Sequence, residues 1–591
     1  MTYILGVNSF HADASAALIK DGKIILAAEE ERFNRIKHSA GFPENAIKWC
    51  IEESGISIKD LSHIAINTSP KANFFKKLFF TLKNKPSPIF ILEKTKTKFK
   101  RTSYKSKLKE LFDELNFNAQ VHFIEHHKAH MASAFYASPF KSSAVLSVDG
   151  FGDFASTAWG YGINNTLGID EQVIFPHSLG IFYTAITQYL GFPNYGDEYK
   201  VMGLAPYGDN KFEEEISELI FLKNNGKFEL NLNYFSHTKK WKAQQWDHGI
   251  PIIENQYSNE IVQLLGKQRV KDEPISQRHK DIAFSAQKQY EKTLFHILNN
   301  LYSKYNSENI ALAGGCAANS VANGKITKKT PFKNVYVQAA AGDAGGAIGA
   351  ALEVWHKTGN KRSKKMGPAY LGPRTNHDQL KKLLEIDHIK KRFTSKEFDL
   401  IEYKSDDISQ KNLLEKVTNE IMDGKVIGWF QGRMEWGPRA LGNRSIIADP
   451  RRNDMKKILN SKIKKRESFR PFAPSILKEE ISNWFILKDE LDSNVPYMMK
   501  VYPIKKDKMS LIPSVCHVDG TGRLQSVTKD QNPKYYDLIK TFFKKTGVPI
   551  LLNTSFNENE PIVCNPNEAL DCFLRTKMDV LVMENFLIIR N

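Results

Sequence analysis

Two histidines four residues apart give this chain its first chemical signal. In Glu125-His126-His127-Lys128-Ala129-His130, a helix running on through Met131 to Tyr136 would put His126 and His130 on one face. Two imidazoles so placed can hold one metal ion, and a carboxylate from a strand end could complete the shell. Asp149 and Asp343 each stand in a glycine-rich turn after an apolar strand, where a carboxylate can reach a cleft. The competing reading is two histidines in an ordinary buried helix. The turns at Gly314-Gly315 and at Gly342–Gly349 allow close backbone approach to a phosphate at a helix N-terminus. Neither is a P-loop, because no Gly-Lys-Ser/Thr follows. For residues 339–351 the alternative is small-residue helix packing.

A second group of residues points to anion binding. Trp429 to Ser445 sets Arg433, Glu435, Arg439 and Arg444 among turn-forming glycines. Arg466 and Arg470 follow at helical spacing, and His517-Val-Asp-Gly-Thr-Gly-Arg523 adds His517, Asp519 and Arg523. Guanidiniums held in Gly/Pro/aromatic settings suit a bidentate grip on phosphates or a carboxylate. Structural salt bridges are the alternative.

The elements that must position these groups are α/β in character. Tyr3-Ile-Leu-Gly-Val-Asn-Ser reads as a buried strand, and Ala16–Ala28 as two strands joined by an Asp21-Gly22 hairpin turn. Pro43 to Ser54 reads as a helix closed by Gly55. Ser143 to Asp153 is another apolar strand feeding a Gly/Asp turn, so strand-turn-hairpin architecture recurs at 3–28 and 143–162. Such duplication is what an actin-like ATPase fold would show. Strands entering glycine turns recur at Asn309 and Asn334. The polar, basic stretch around residues 357–366 reads as a linker, with a second unit from Gly367 that has strands near Lys425–Phe430 and Val548–Leu552.

The 591 residues leave room for roughly three or four units of ordinary size. Hydrophobic residues at 41% and charged residues at 25% exclude a disordered or collagen-like chain. Five cysteines without a Cys-x-x-Cys pair argue against structural zinc and for reduced thiols. With no signal-peptide pattern and no apolar run of ~18 residues, a soluble, cytoplasmic protein is expected. The net charge of +18 invites a nucleic-acid reading, which no RNA-binding or zinc-finger motif supports. Much of that charge lies in Lys71–Lys109, where lysines alternate with Phe74, Phe75, Phe79 and Phe80. The expectation is an amphipathic excursion with a buried aromatic face and snorkelling lysines. A membrane-surface role and nucleic-acid binding are the alternatives.

Several long strings, in order and spanning nearly the whole chain, resemble one family: the NodU/CmcH-type O-carbamoyltransferases of nodulation-factor and antibiotic biosynthesis. They include Ala27–Arg32 with Lys37-His38, His126–Ala134, Val148–Gly152, Ser178–Tyr183, Glu198–Gly208, Gly432–Ser445, Arg466–Pro474, His517–Gln525 and Leu552–Asn557. The resemblance implies an actin-like carbamoyl-transfer domain at 1–356, similar to the domain that makes threonylcarbamoyl-adenosine in tRNA. It also implies a YrdC-like domain at 367–591. There, carbamoyl phosphate and ATP would give carbamoyl-adenylate, whose carbamoyl group passes to a hydroxyl of a small-molecule natural product or sugar. An iron-type site maps onto His126, His130, Asp149 and Asp343, with Fe2+ expected there and Mg2+ with ATP. Gly314, Gly315 and Asn319 match the nucleotide-binding turn of the first domain. Arg433, Glu435, Arg439, Arg444, Arg466, Arg470, His517, Asp519, Arg523, Asn553, Ser555 and Asn557 fall in the carbamoyl phosphate and ATP strings of the second. Of these, Ser555-Phe-Asn557 resembles a Ser-x-Asn nucleotide signature. His11 is similar to a residue used near the acceptor hydroxyl, and His11 or Asp13 is the expected general base. Ala12 between them departs from the family's His-Asp pattern. The acceptor and the oligomeric state, a homodimer among the options, stay open. Modification of tRNA in threonylcarbamoyladenosine fashion is the second enzymatic reading; no nucleic acid is expected under the first.

Overall fold

A computed structural model describes residues 1–84, 104–112, 118–238, 245–362, 366–488 and 494–591. It divides into two compact units, one of residues 1–322 and 326–366, the other of 323–325 and 367–591.

The first unit is a mixed α/β fold built on two sheets of matching topology. In the first, β1 (Tyr3–Asn8), β2 (Ser15–Lys20), β3 (Lys23–Glu29), β4 (Leu61–Ile66) and β5 (Gln120–Phe123) run in the order β3-β2-β1-β4-β5. The β1-β2-β3 meander is antiparallel, whereas β4 and β5 add in parallel. Asp21 and Gly22, both at positive φ, make the β2–β3 turn. The second sheet repeats the plan with β6 (Ser142–Gly152), β7 (Ala155–Ile163), β8 (Thr166–Leu167), β9 (Glu171–Ile174), β10 (Asn309–Ala313) and β11 (Asn334–Val337). Its order is β11-β10-β6-β7-β8, with β9 also on β7. Again the hairpin strands are antiparallel, and β10 and β11 are parallel to β6 and to each other.

Helix α1 (Glu44–Ser54) packs on the first sheet and ends at Gly55 in the left-handed conformation. Helix α2 (Phe74–Asn84) is the amphipathic element of the basic segment. Its orientation reverses part of the expectation: Phe75 and Phe79 are 82% and 70% exposed, and Phe74 is also exposed. Only Phe80 turns inward, onto Phe154 and Phe175 at ring distances of 5.6 and 5.3 Å. Among the described residues nothing of the unit lies beneath one face of this helix, so its aromatics point outward. The part of the basic segment at 85–103 lies outside the described residues. Helix α3 (Tyr104–Phe112) buries Tyr104, whose hydroxyl is 2.5 Å from Ser9 Oγ.

Helices α4 (His126–Phe135) and α8 (Gly345–Lys357) pack against each other, with α5 (Leu179–Tyr189), α6 (Glu198–Leu204) and the 29-residue α7 (Gln277–Tyr305) completing the helical layer. The small residues of α8 serve close packing. A Cβ on Gly349 would stand 1.8 Å from the Ala129 carbonyl oxygen of α4, and one on Gly6 of β1 would stand 2.0 Å from that of Ala347.

The second unit centres on an eight-stranded mixed sheet. Its strands are β12 (Phe398–Glu402), β13 (Ile427–Phe430), β14 (Arg444–Ala448), β15 (Ala473–Leu477), β16 (Gln525–Val527), β17 (Ile550–Ser555), β18 (Val580–Met583) and β19 (Phe586–Arg590). They run in the order β12-β19-β18-β13-β14-β17-β15-β16. Helices α9 (Asp407–Met422), α10 (Pro533–Thr546) and α11 (Pro566–Arg575) close a core that includes Trp429, Ile446, Leu551 and Phe573. Among the described residues no helix is long and apolar enough to cross a membrane.

Candidate functional site

Four side chains converge in the first unit. Asp149 Oδ2 lies 3.2 Å from His126 Nε2 and 3.1 Å from His130 Nε2, and Asp343 Oδ1 lies 3.5 and 3.4 Å from the same nitrogens. The two imidazole nitrogens are 3.0 Å apart. Helical spacing on α4 pairs the histidines, Asp149 comes from β6, and Asp343 from the turn that opens α8. The local scaffold explains why α4 starts where it does. Glu125 caps it by accepting from Lys128 N at 2.6 Å, and the Asp153 carboxylate accepts from His126 N at 3.0 Å. Asp153 also accepts from Ser69 N and Thr68 Oγ1, tying the end of β4 to the same point. Gly152 must be glycine in this arrangement, because its Cβ would stand 2.0 Å from the His126 ring.

The charges are mutually stabilised. Burial opposes ionisation of Asp149, yet hydrogen bonds from His126 and His130 hold it well below the usual carboxylate range. His130 is pushed up to about 9, burial being outweighed by its bonds to Asp149 and Asp343. Burial and the Asp149 charge raise Asp343.

This donor set fits a divalent metal. One atom from each of the four residues lies within 4.8 Å of the others, and two imidazole nitrogens plus two carboxylate oxygens suit a borderline cation. His126 Nδ1 and His130 Nδ1 are buried with no hydrogen-bond partner, and both rings aim Nε2 inward. Two Nε2 atoms that close share their proximity poorly unless a proton or a cation lies between them and the carboxylates.

Around the cluster stand the remaining expected residues of this unit. The His11 ring is buried, its centroid 5.0 Å from that of His126. The loop carrying it is contorted, with Phe10 and Asp13 at positive φ, and is pinned by Asn8 Nδ2 donating to the carbonyls of Ala12 and Asp13. Ala12 is accommodated by burial in this loop. Asp13 Oδ1 is 2.8 Å from His38 Nδ1; burial lowers that histidine, but Asp13's charge and hydrogen bond leave it raised overall. Gly315 N donates to Asp149 Oδ1 at 3.1 Å, so the glycine turn abuts a metal-type ligand. Gly314, at φ +92°, comes so close to β6 that a Cβ would meet the Val148 carbonyl oxygen at 2.2 Å. Asn319 is committed to the helical layer: its amide exchanges hydrogen bonds of 2.9 and 3.2 Å with Gln287 on α7.

In the second unit the arginines divide into two kinds. Arg444 is fully buried, donating to the carbonyls of Gln431, Asn443, Pro373 and Gly432 at 2.6–3.1 Å and stacking over Phe430 at 3.7 Å. It is a clamp for the loop after β13: Nη1 and Nη2 are spent on carbonyls, and Nε is buried with no hydrogen-bond partner. Glu435 Oε1 accepts from the backbone N–H groups of Leu441, Asn443 and Arg444, and its Oε2 is buried with no hydrogen-bond partner. Asn553 is buried and bonds to Ala440 O, Ser475 Oγ and Gln525 Oε1, which makes it part of the sheet's interior network. Arg433 donates to Gly372 O.

Arg439, Arg466, Arg470 and Arg523 form the other kind. Burial lowers Arg523 well below its usual range, and the charges of Arg439, Arg466 and Arg470 lower it further. Its Nε is buried with no hydrogen-bond partner. Arg466 Nε donates to Asn460 Oδ1, and Arg470 pairs with Glu467 at 3.5 Å. His517, lowered to about 4 by burial with Arg523 nearby, meets Thr521 Oγ1 at 3.0 Å, and Asp519 accepts from the same hydroxyl. One residue escaped the sequence reading. Lys464 is buried, and its Nζ donates to Ser555 O, Asn557 O and Asn557 Oδ1 at 2.5–2.7 Å. Burial and then Arg466 and Arg470 hold its pKa well below the usual lysine range. Its place two residues before Arg466 was the available signal.

Comparison with known proteins then adds a name to the geometry. The family description Carbamoyltransferase N-terminus matches residues 3–352, and Carbamoyltransferase C-terminus matches 418–590. The chain is 40% identical over 623 aligned residues to the uncharacterized protein sll1178 of Synechocystis, covering all of this chain and 97% of the relative. It is 36% identical to nodulation protein NolNO of Sinorhizobium fredii, over 98% of this chain and 79% of that protein. It is 31% identical to the 3'-hydroxymethylcephem-O-carbamoyltransferase of Amycolatopsis lactamdurans over 249 residues, 42% of each. The chain belongs to the carbamoyltransferase family and is an enzyme that transfers carbamoyl groups.

Proposed function

We propose that this carbamoyltransferase is an ATP-dependent O-carbamoyltransferase working in two half-reactions, one in each unit. The observation that carries the reading is the convergence of Arg439, Arg466 and Arg470 on the buried Arg523, beside a buried Lys464. Like charges at such density call for a polyanion, and carbamoyl phosphate with the triphosphate of ATP would supply one. Water would release phosphate from carbamoyl phosphate, and a carbamate oxygen would attack the α-phosphorus of ATP with loss of pyrophosphate. Arg439, Arg466, Arg470 and Arg523 would offset the charge that builds on the phosphates. Lys464, Ser555 and Asn557 form one hydrogen-bonded group that would hold the nucleotide. His517 and Asp519, which share Thr521, would set the wall of the site.

In the first unit, the duplicated sheets suit an actin-like nucleotide-binding domain, with Gly314 and Gly315 as its close-approach turn. A divalent metal, Fe2+ by resemblance, held by His126, His130, Asp149 and Asp343 would supply Lewis acidity toward phosphate oxygens when bound. His11 is the general base in this reading, because Asp13 is engaged by His38. It would take the proton of the acceptor hydroxyl as that oxygen attacks the carbamoyl carbon and AMP leaves. Asp13 would orient His38 at the acceptor side. The acceptor is a hydroxyl-bearing small molecule, a natural product or sugar.

The test uses labelled carbamoyl phosphate, with pyrophosphate and AMP followed separately and acceptors screened by mass for gain of one carbamoyl group. ATP-dependent pyrophosphate release that requires carbamoyl phosphate supports the scheme. Carbamoyl transfer to an acceptor in the complete absence of ATP would overturn it, as would transfer of label to bulk tRNA in preference to small acceptors.

A further inference from the structure

Helix α2 presents an apolar face that no element among the described residues of its unit covers. Phe74, Phe75, Leu78, Phe79 and Leu82 are 56, 82, 46, 70 and 66% exposed. At 100° per residue these five positions form one stripe ~140° wide. Phe80 falls on the opposite side and is the residue that packs inward, against Phe154 and Phe175. Two polar contacts fix the same inward side: Asn73 Nδ2 donates to Asp153 O at 3.0 Å, and Lys76 Nζ to Gln172 Oε1 at 3.0 Å. The helix is therefore bolted to the body with its aromatic stripe held outward.

Its charge says what would cover the stripe. Lys71, Lys76, Lys77 and Lys83 accompany it, and no acidic residue occurs from Lys71 to Asn84. Lys83 lies along one border of the apolar face, where a long side chain reaches the plane of whatever the face enters. Phenylalanine and leucine on one face with lysine beside them is the composition of a helix lying in a lipid–water interface. A second copy of the chain fits less well, because a two-fold contact would set these lysines against each other.

We propose that α2 is an in-plane anchor that docks the first unit on an anionic lipid surface. The Asp153 carboxylate receives the His126 N–H while the Asp153 carbonyl receives Asn73, so the anchor and the four-ligand cluster share one fixed point. Docking by α2 places that cluster's unit at the lipid surface.

The full-length protein is tested by co-sedimentation with vesicles of phosphatidylcholine alone or with one quarter phosphatidylglycerol, at low and high salt. Wild type should bind the anionic vesicles, and more weakly at high salt. Phe75→Ser with Phe79→Ser should weaken binding at least about tenfold while leaving the melting temperature unchanged, since both side chains are already in solvent. Lys71→Ser, Lys77→Ser and Lys83→Ser together should lower low-salt affinity on the order of 100-fold. Absence of wild-type binding to anionic vesicles overturns the proposal, and so does binding that the double Phe variant leaves intact. A wild-type dimer by light scattering that becomes monomeric in that variant also overturns it, by assigning the face to a second copy.

Discussion

Arg444 and Arg523 are the same residue type in similar glycine-rich surroundings, and the structure gives them different neighbours: backbone carbonyls for the one, other arginines for the other. Arg444 satisfies four carbonyls from a position with no solvent access, so Arg444→Ala strands those acceptors in the core. It should cost roughly 3 kcal/mol or more of stability, read as lost soluble protein or a lowered melting temperature. Arg523→Lys should fold normally, because burial and its arginine neighbours already disfavour the charge there. It should raise the Michaelis constant for carbamoyl phosphate or ATP about tenfold to a hundredfold, since a point charge cannot copy a planar fork. A stable Arg444→Ala with normal kinetics would remove the distinction. The metal-type cluster gives a pH prediction. In metal-free protein, the His130 imidazolium stabilises the fold, and its pKa of about 9 lies above the ordinary 6.5. That stabilisation is complete below about 6.5 and is lost as pH rises through about 9. Chelator-treated protein should therefore lose melting temperature across that window, whereas metal affinity should climb in it, because His130 must shed its proton to ligate. A flat chelator-treated profile would count against the coupling. At this scale, residue types were legible in the sequence, and so was the pairing of His126 with His130. Which arginine is spent on backbone carbonyls and which stands among other arginines was not, because burial is decided by strands distant in sequence.

The elements that aim these side chains are held by contacts too close for a methyl group. Gly152 ends β6 directly beneath the His126 ring, and a Cβ there would have to displace the ring. Gly152→Ala should cut bound metal per chain severely and lower carbamoyl transfer about a hundredfold, as expected when a ligand is misplaced by an ångström. Pyrophosphate release should persist. Metal analysis by mass spectrometry of the purified variant checks this, and full metal occupancy would show that the ring relocates without harm. Local chemistry made the β2–β3 hairpin and the Gly55 stop readable, since both depend on residues at the turn itself. The outward roll of α2 was not readable. Periodicity reports that a helix has an apolar face, and it cannot report whether the rest of the chain supplies something to cover it.

At the scale of the molecule, the duplicated sheets were visible in the sequence as recurring strand-turn-hairpin units at 3–28 and 143–162. The eight-stranded sheet of the second unit was not, because its order joins strands from β12 to β19 with only short-range hints at β13 and β17. The division into two units sorts the chemistry: His126, His130, Asp149 and Asp343 all belong to the first, and Arg439, Lys464, Arg466, Arg470 and Arg523 to the second. If each half-reaction is run by its own set, damage to one should leave the other working. His130→Ala removes one of the four side chains of the cluster and one of the two histidines that reach both carboxylates, so under the two-step scheme carbamoyl transfer should fall to background. Under the proposed scheme adenylate formation needs none of those groups, and pyrophosphate should still be released at a rate close to wild type. With no productive transfer, the carbamoyl-adenylate would hydrolyse, and ATP would be consumed without carbamoylated product. Folding of the variant is checked by its melting curve, because a buried Asp149 and Asp343 pair left with His126 alone is destabilising on its own. Parallel loss of pyrophosphate release and transfer, in a variant that melts cooperatively, would mean that the two sets of residues serve a single site and that the two-step scheme is wrong.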